Sequence, residues 1–239
     1  MRPNSFQFII GILLLIPMAG FSQSAYQGNR IMLATRDQGA ESAFYIYDPP
    51  FKAKPVFKDT AEAKNQYPEQ LMESMISANN QKWVDYNTLG GSTKSRKHDE
   101  KYFERVKNAG KESLFLELKA KYTFQYAGNE IAIIKYYLHA PGISPTSGAY
   151  VLQRVGTRWY YNSTTFTSDL AVLIMRFREE KLKLILKGEI TGDKRTDDVM
   201  ASVKDAAGNI LTDKLVKEFN NWIENNPDYT EYFKDPNTW

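Results

Sequence analysis

The chain has 239 residues, of which 42% are hydrophobic, 25% charged and 13% aromatic, with a formal charge of +3. That balance excludes a disordered chain and gives no basic signature for nucleic acid or an anionic membrane surface. Cysteine is absent; disulfides, thiolate metal sites, iron–sulfur clusters, catalytic thiols and the lipidated cysteine of an export lipoprotein are all ruled out.

Arg2 precedes an uncharged apolar run, Phe8 to Pro17, and small or polar residues follow from Ala19 to Ser24. This is the order of a secretory signal peptide, read as residues 1–22 and removed on export. The run falls short of the roughly 20 apolar residues that a bilayer span needs. No later segment is apolar enough either, so a periplasmic or secreted chain is expected, without a transmembrane segment once mature. Loss of residues 1–22 takes away Arg2 and no acid, leaving a charge of +2.

Residues 23–66 read as an amino-terminal extension. Within it, Phe44 to Tyr47 has strand character and is expected to stop at Asp48-Pro49-Pro50. Residues 52–64 are polar, a connector. Pro68 suits a first helical turn. Leu71, Met72, Met75, Ile76, Trp83, Tyr86 and Leu89 keep helical spacing behind it, which predicts one helix over 68–89, ended by Gly90-Gly91. A charged loop follows at 92–101, then a short helix near Tyr102 to Ala109.

The sheet signal is stronger. Leu114, Leu116, Leu118, Ala120, Tyr122, Phe124 and Tyr126 alternate with Phe115, Glu117, Lys119, Lys121, Thr123 and Gln125, as in a half-buried antiparallel strand. Gly128-Asn129 is turn chemistry. In the next strand Ala132, Ile134, Tyr136 and Leu138 face one way, and Ile131, Ile133, Lys135, Tyr137 and His139 the other, as in a strand covered on both faces near its start. Residues 149–155 and 158–162 flank Gly156-Thr157, the spacing of a two-residue hairpin.

Ser168-Asp169 offers a helix cap, with Leu170, Leu173, Ile174 and Phe177 as the apolar side. A second helical piece is expected over 182–186. Ala201 to Val203 and Asn209 to Leu211 are expected to pair as short strands. A last helix is expected from Thr212 to about Asn226, carrying Leu215, Val216, Phe219, Trp222 and Ile223.

The order of helix 68–89 and strands 114–126, 131–139, 149–155 and 158–162 resembles the nuclear transport factor two-like (cystatin-like, SnoaL-like) superfamily. The segment from Val151 to Trp159 is similar to a hairpin of that group, apolar–x–x–x–Gly–x–Arg/Lys–Trp. The likeness covers about residues 68–165, and an exported bacterial member is the match it suggests. It implies an α+β fold: a curved antiparallel sheet packed on a long amino-terminal helix, cone-shaped, with additional carboxy-terminal helices. The domain is placed at 67–188 and a carboxy-terminal helical extension at 189–239. The resemblance also implies a pocket inside the cone and pairing of sheets into a homodimer.

Enzymes of that superfamily use an Asp or a His–Asp pair inside the cone. The chain has two His. His98 lies in the charged loop. His139, at a strand end, is the one candidate proton carrier, and no acid shares its face of the strand. Glu117 is grouped with Lys119 and Lys121 on a solvated face. No metal-ligand spacing, phosphate loop or nucleotide motif is present, so neither metal nor cofactor is expected. The aromatic residues Tyr122, Phe124, Tyr126, Tyr136, Trp159, Tyr161 and Trp83 either line a ligand cavity or fill the core, and Met72, Met75 and Ile76 would join Trp83 in its floor. The function expected is a non-catalytic module that binds a small apolar ligand or an envelope protein. The alternatives are an isomerase, dehydratase or hydrolase with a pocket near His139, and a cell-envelope assembly factor that docks through the carboxy-terminal helix and Trp239.

Overall fold

The computed structural model describes residues 29–34, 41–91, 97–110, 112–177, 181–182, 184, 189–203, 217–218, 221–222 and 225. The expected signal peptide, most of the piece at 182–186, the strand at 209–211 and nearly all of the helix at 212–226 lie outside them. The fold is α+β. Six antiparallel strands follow one another in chain order across one sheet: β1 (Asn29–Ala34), β2 (Glu41–Ala53), β3 (Phe115–Tyr126), β4 (Asn129–His139), β5 (Thr146–Val155) and β6 (Arg158–Tyr161). Helices α1 (Pro68–Ser77), α2 (Gln81–Asn87) and α3 (Glu100–Asn108) connect β2 to β3; α4 (Thr165–Arg176) and α5 (Lys194–Val203) follow the sheet. Among the described residues no helix is long and apolar enough to cross a membrane.

Several expectations change. The residues assigned to an amino-terminal extension build two strands of the same sheet, since β2 pairs with β3 from Ala43↔Thr123 to Ala53↔Leu116. The prolines do not stop β2. Its register shifts between Ile46 and Phe51, so Pro49 and Pro50, which lack an N–H, stand off the ladder where none is needed. The single helix over 68–89 is two. Ala78 is extended, and Asn80 caps α2 by accepting the Trp83 amide on its side chain at 3.0 Å. A capping Asn offers the backbone an alternative to continued helix, and that breaks an otherwise unbroken apolar stripe.

The largest change is in β3. Leu118 pairs with Tyr136 but Ala120 pairs with Lys135, so Lys119 is an inserted residue, a β-bulge. Adjacent residues of β4 point to opposite faces, so the side chains of β3 before and after Lys119 do too. Leu114, Leu116 and Leu118 pack with Leu71, Met72, Met75 and Ile76 of α1. Ala120, Tyr122 and Phe124 pack on the other face with Leu170, Leu173, Ile174 and Phe177 of α4. The sheet thus lies between two helical layers. Strand β4 feeds both, with Ala132 and Ile134 toward α1 and Ile131 and Ile133 toward α4, as its two-sided pattern predicts.

The bulge also buries charge. Lys121, read as solvent-facing beside Glu117, points to the α1 side, where its Nζ lies 2.5 Å from Glu69 Oε1; neither side chain is more than 3% exposed. Tyr47 Oη donates to the same oxygen at 2.7 Å, and the Tyr45 ring lies 5.0 Å from the ammonium. On the opposite face Lys135 is fully buried and donates to the carbonyl of Phe177, the C-cap of α4. A cation suits the negative end of a helix, which accounts for an otherwise costly burial.

Glu73 sits one helical turn after Glu69. Burial, reinforced by the Glu69 charge, pushes its carboxyl up from 4.5 to about 7. The folded state then holds a proton that the unfolded chain has released. The contribution of this group to stability is complete below pH 4.5 and is lost as pH rises through about 7. Glu73→Gln should therefore gain on the native chain in urea midpoint between about pH 4.5 and about pH 8. A difference that stays constant over that range would remove Glu73 as the cause.

The chain termini of these elements carry their own logic. Helix α4 is capped at Thr164, four residues before the expected cap, by a reciprocal Thr164–Thr167 capping box. Helix α5 occupies 201–203, expected as strand. Its Asp197 accepts the Thr191 amide at 2.8 Å, and that bond holds the carboxyl below its usual range. The hairpin turns at Gly156 as expected, where φ is +59°, but the β3–β4 turn is Ala127-Gly128, one residue early. At the β6 edge the chain folds back on the sheet: the Trp159 amide donates to the Asn65 carbonyl at 2.8 Å, and the Leu89 amide to the Tyr161 carbonyl at 3.0 Å.

Candidate functional site

A cleft of about 980 Å³ lies between α3, the end of α1 and the α1-side face of β3, β4 and β5. Helix α3 turns Tyr102, Arg105, Val106 and Ala109 toward it, the spacing of one helical face. Two interactions place α3 there. Asp99 caps it by accepting the Tyr102 amide at 2.8 Å, and Phe103 is buried beside Trp83 and Val84. The His98 ring stacks on Tyr102 with centroids 4.1 Å apart. From below, Met75, Ile76, Leu114, Leu116 and Leu138 present an apolar floor. Tyr136 and Tyr150, stacked at 5.0 Å, form the aromatic wall.

Tyr136 owes its place to a glycine. It pairs across the strands with Gly148, and a Cβ built there would come within 2.5 Å of the Tyr136 Cζ and hydroxyl oxygen. The ring lies flat over a position that only glycine leaves open.

One polar residue of the lining is deeply buried. Asn87, at the end of α2, is 1% exposed. Its Oδ1 accepts from Asn65 Nδ2 at 3.0 Å and from Ser74 Oγ at 2.8 Å. Ser74 Oγ in turn accepts from Trp83 Nε1 at 2.9 Å. Asn87 Nδ2 is buried and has no hydrogen-bond partner. The charged side chains lie at the mouth: Asp99, Lys101, Glu104 and Arg105, all exposed and cancelling in sign.

Of the seven aromatic residues singled out from the sequence, Tyr136 lines this cleft. Tyr122 and Phe124, with Tyr126 against them, pack under α4 on the other face, because the Lys119 bulge divides what reads as one stripe. Trp159 is buried under α1 with Tyr161 packed against that core; Tyr161 meets the Tyr150 ring edge-on at 5.7 Å. Trp83 belongs to the small core beneath α3. Met75 and Ile76 are in the floor, whereas Met72 and Trp83 are not part of the lining. The lining residues that escaped sequence reasoning include Tyr150, Asn87 and the whole contribution of α3. Asn87 had a signal: it falls four residues after Trp83, a polar side chain on the apolar stripe.

His139 lies on the opposite face of β4 from Tyr136 and Leu138, and so away from the cleft. It has an acid across the strands: its Nε2 is 2.9 Å from Glu117 Oε2. The imidazole stacks on Phe115 with centroids 4.3 Å apart, and Lys119 Nζ lies 3.3 Å from Glu117 Oε1. With Lys121 turned inward, Glu117 serves a His and one Lys. Among the described residues no three His, Asp or Glu side chains gather as a metal-ligand set. No protein-family model, no curated protein and no solved structure matches the chain.

Proposed function

We propose that this is an exported, non-catalytic binding module of the cell envelope, of the cone-shaped nuclear transport factor two-like type, that takes a small apolar molecule in the cleft between α3 and the sheet. The observation that carries the reading is the cleft itself. Its volume of about 980 Å³ is at the upper end of the range of small-molecule sites, and an apolar floor with one buried polar group is their usual composition. The leader at residues 1–22 supports export, and the order of helices before the meander β3–β6 supports the fold type. The enzyme alternative has the His139–Glu117 pair, but that pair stands on the sheet face away from the cleft.

Titration of the mature chain with the neutral dye N-phenylnaphthylamine should give saturable binding with one site per chain. Gly148→Ala pushes the Tyr136 ring off its glycine. It should weaken that binding at least about tenfold while costing about 1–3 kcal/mol in stability. Unsaturable fluorescence, or equal affinity in a folded Gly148→Ala chain, would remove the cleft as the binding site.

A further inference from the structure

We infer that the ligand of the cleft is a single-chain amphiphile, an alkyl chain laid along the floor with its polar head left at the mouth; this deepens the cleft reading and rests on it. Polarity across the cleft is sorted by depth. Met75, Ile76, Leu114 and Leu116 at the floor are buried. The polar side chain that lines the cleft with them turns to its own neighbours: Asn87 Oδ1 accepts from Asn65 and Ser74, and its Nδ2 is shut off from solvent. A polar ligand atom finds no partner among these residues and loses its water on reaching them. The charged side chains Asp99, Lys101, Glu104 and Arg105 are all exposed at the mouth and balance in sign. One end of the site therefore suits hydrocarbon, and the other suits a head that stays hydrated, whatever its charge.

The apolar surface is also drawn out lengthwise. Tyr136 and Leu138 on β4, with Ala140 just beyond it, all line the cleft; at the rise of an extended chain they form a row of about 13 Å. The row continues into the β4–β5 loop at Pro141 and Ile143. Ile143 is 54% exposed, and of the exposed large apolar side chains among the described residues it is the one that borders the cleft. A chain leaving the floor past Ile143 removes that side chain from water, whereas a compact ring system would leave it uncovered. An extended peptide fits less well. Strands β3, β4 and β5 are interior to the sheet, so their backbone groups are already paired, and a peptide's amides would be desolvated against leucines.

Isothermal titration calorimetry of the mature chain with straight-chain alkanoates, from octanoate to hexadecanoate and below their micelle concentrations, reads the chain directly. Affinity should rise about threefold to fourfold per added methylene, and level off once the chain passes Ile143. Alkyltrimethylammonium ions of the same lengths should show the same climb, because the mouth favours neither sign. Each alkanoate should displace N-phenylnaphthylamine one for one. Ile143→Ser, a change at an exposed position, should lower the ratio of hexadecanoate to octanoate affinity at least about threefold. An unchanged ratio removes Ile143 as the exit of the chain. Saturable dye binding with alkanoate affinity independent of length overturns the amphiphile and leaves a compact ligand in the cleft. Alkanoates that bind without displacing the dye overturn it as well, since they then sit elsewhere. Binding of neither dye nor alkanoate overturns the cleft reading together with it.

Discussion

Deletion of Lys119 should abolish folding, whereas Lys119→Ala should cost no more than about 1 kcal/mol. The side chain is a partly exposed ammonium 3.3 Å from Glu117, a surface pair of the kind that contributes little. The backbone unit is another matter. It lets β3 give Leu114, Leu116 and Leu118 to the α1 core and Ala120, Tyr122 and Phe124 to the α4 core. Without it, one half of the strand must turn its large apolar side chains to the wrong layer, because a one-residue slip inverts every side chain beyond it. Either Tyr122 and Phe124 leave the α4 core and Lys121 loses Glu69, or the three leucines leave α1. Each loss exceeds the margin of a domain stable by about 5–15 kcal/mol. Circular dichroism of both variants is the check. A folded, cooperatively melting deletion would show that the bulge does not set the register.

Glu69→Leu should destabilise the chain by about 3–5 kcal/mol, and the double change Glu69→Leu with Lys121→Met should recover most of that loss. The single substitution strands an ammonium that is 3% exposed and also takes the acceptor from Tyr47. The double substitution removes the charge along with its partner and fills the space with apolar atoms, so it no longer faces the desolvation of an unpaired ion. Urea denaturation of the native chain, both single variants and the double variant closes the cycle. A loss below about 1 kcal/mol for Glu69→Leu would mean that water reaches Lys121 when its partner goes.

What could be read from the residues followed from how many faces each element buries. Strand β4 alternates imperfectly, and both of its faces are covered. The hairpin at Gly156 was visible because a two-residue turn needs an unusual φ and glycine supplies it. Strand β3 misled because its alternation is unbroken in the sequence while its environment changes sides. An inserted residue with a half-exposed charged side chain leaves no gap in a period-two pattern. Lys121 made this worse, since a lysine next to Glu117 and Lys119 reads as solvent-facing and its buried partner lies 52 residues earlier. The break at Ala78–Asn80 was hidden for a related reason. Trp83 and Met75 both reach buried positions, so the apolar stripe carries across two helices, and only Asn80 signals the restart. The cleft was partly legible, through Met75, Ile76 and Tyr136. Its other half comes from α3 and from Asn87, whose meaning depends on partners at residues 65 and 74 that spacing does not bring together.

The two backbone bonds from residues 65 and 89 onto β6 bear on how the molecule behaves among its own copies. The last strand of an antiparallel sheet ordinarily presents a row of open amides and carbonyls, a template onto which another polypeptide can crystallise strand by strand. Here the chain has capped that row itself, through the Trp159 amide and the Tyr161 carbonyl, with a bridge between Thr88 and Tyr161 beside them. Growth of the sheet at this end would first have to peel away the turn after α2 and the segment that leads into α1. A concentrated population of these molecules is thereby kept from polymerising through β6.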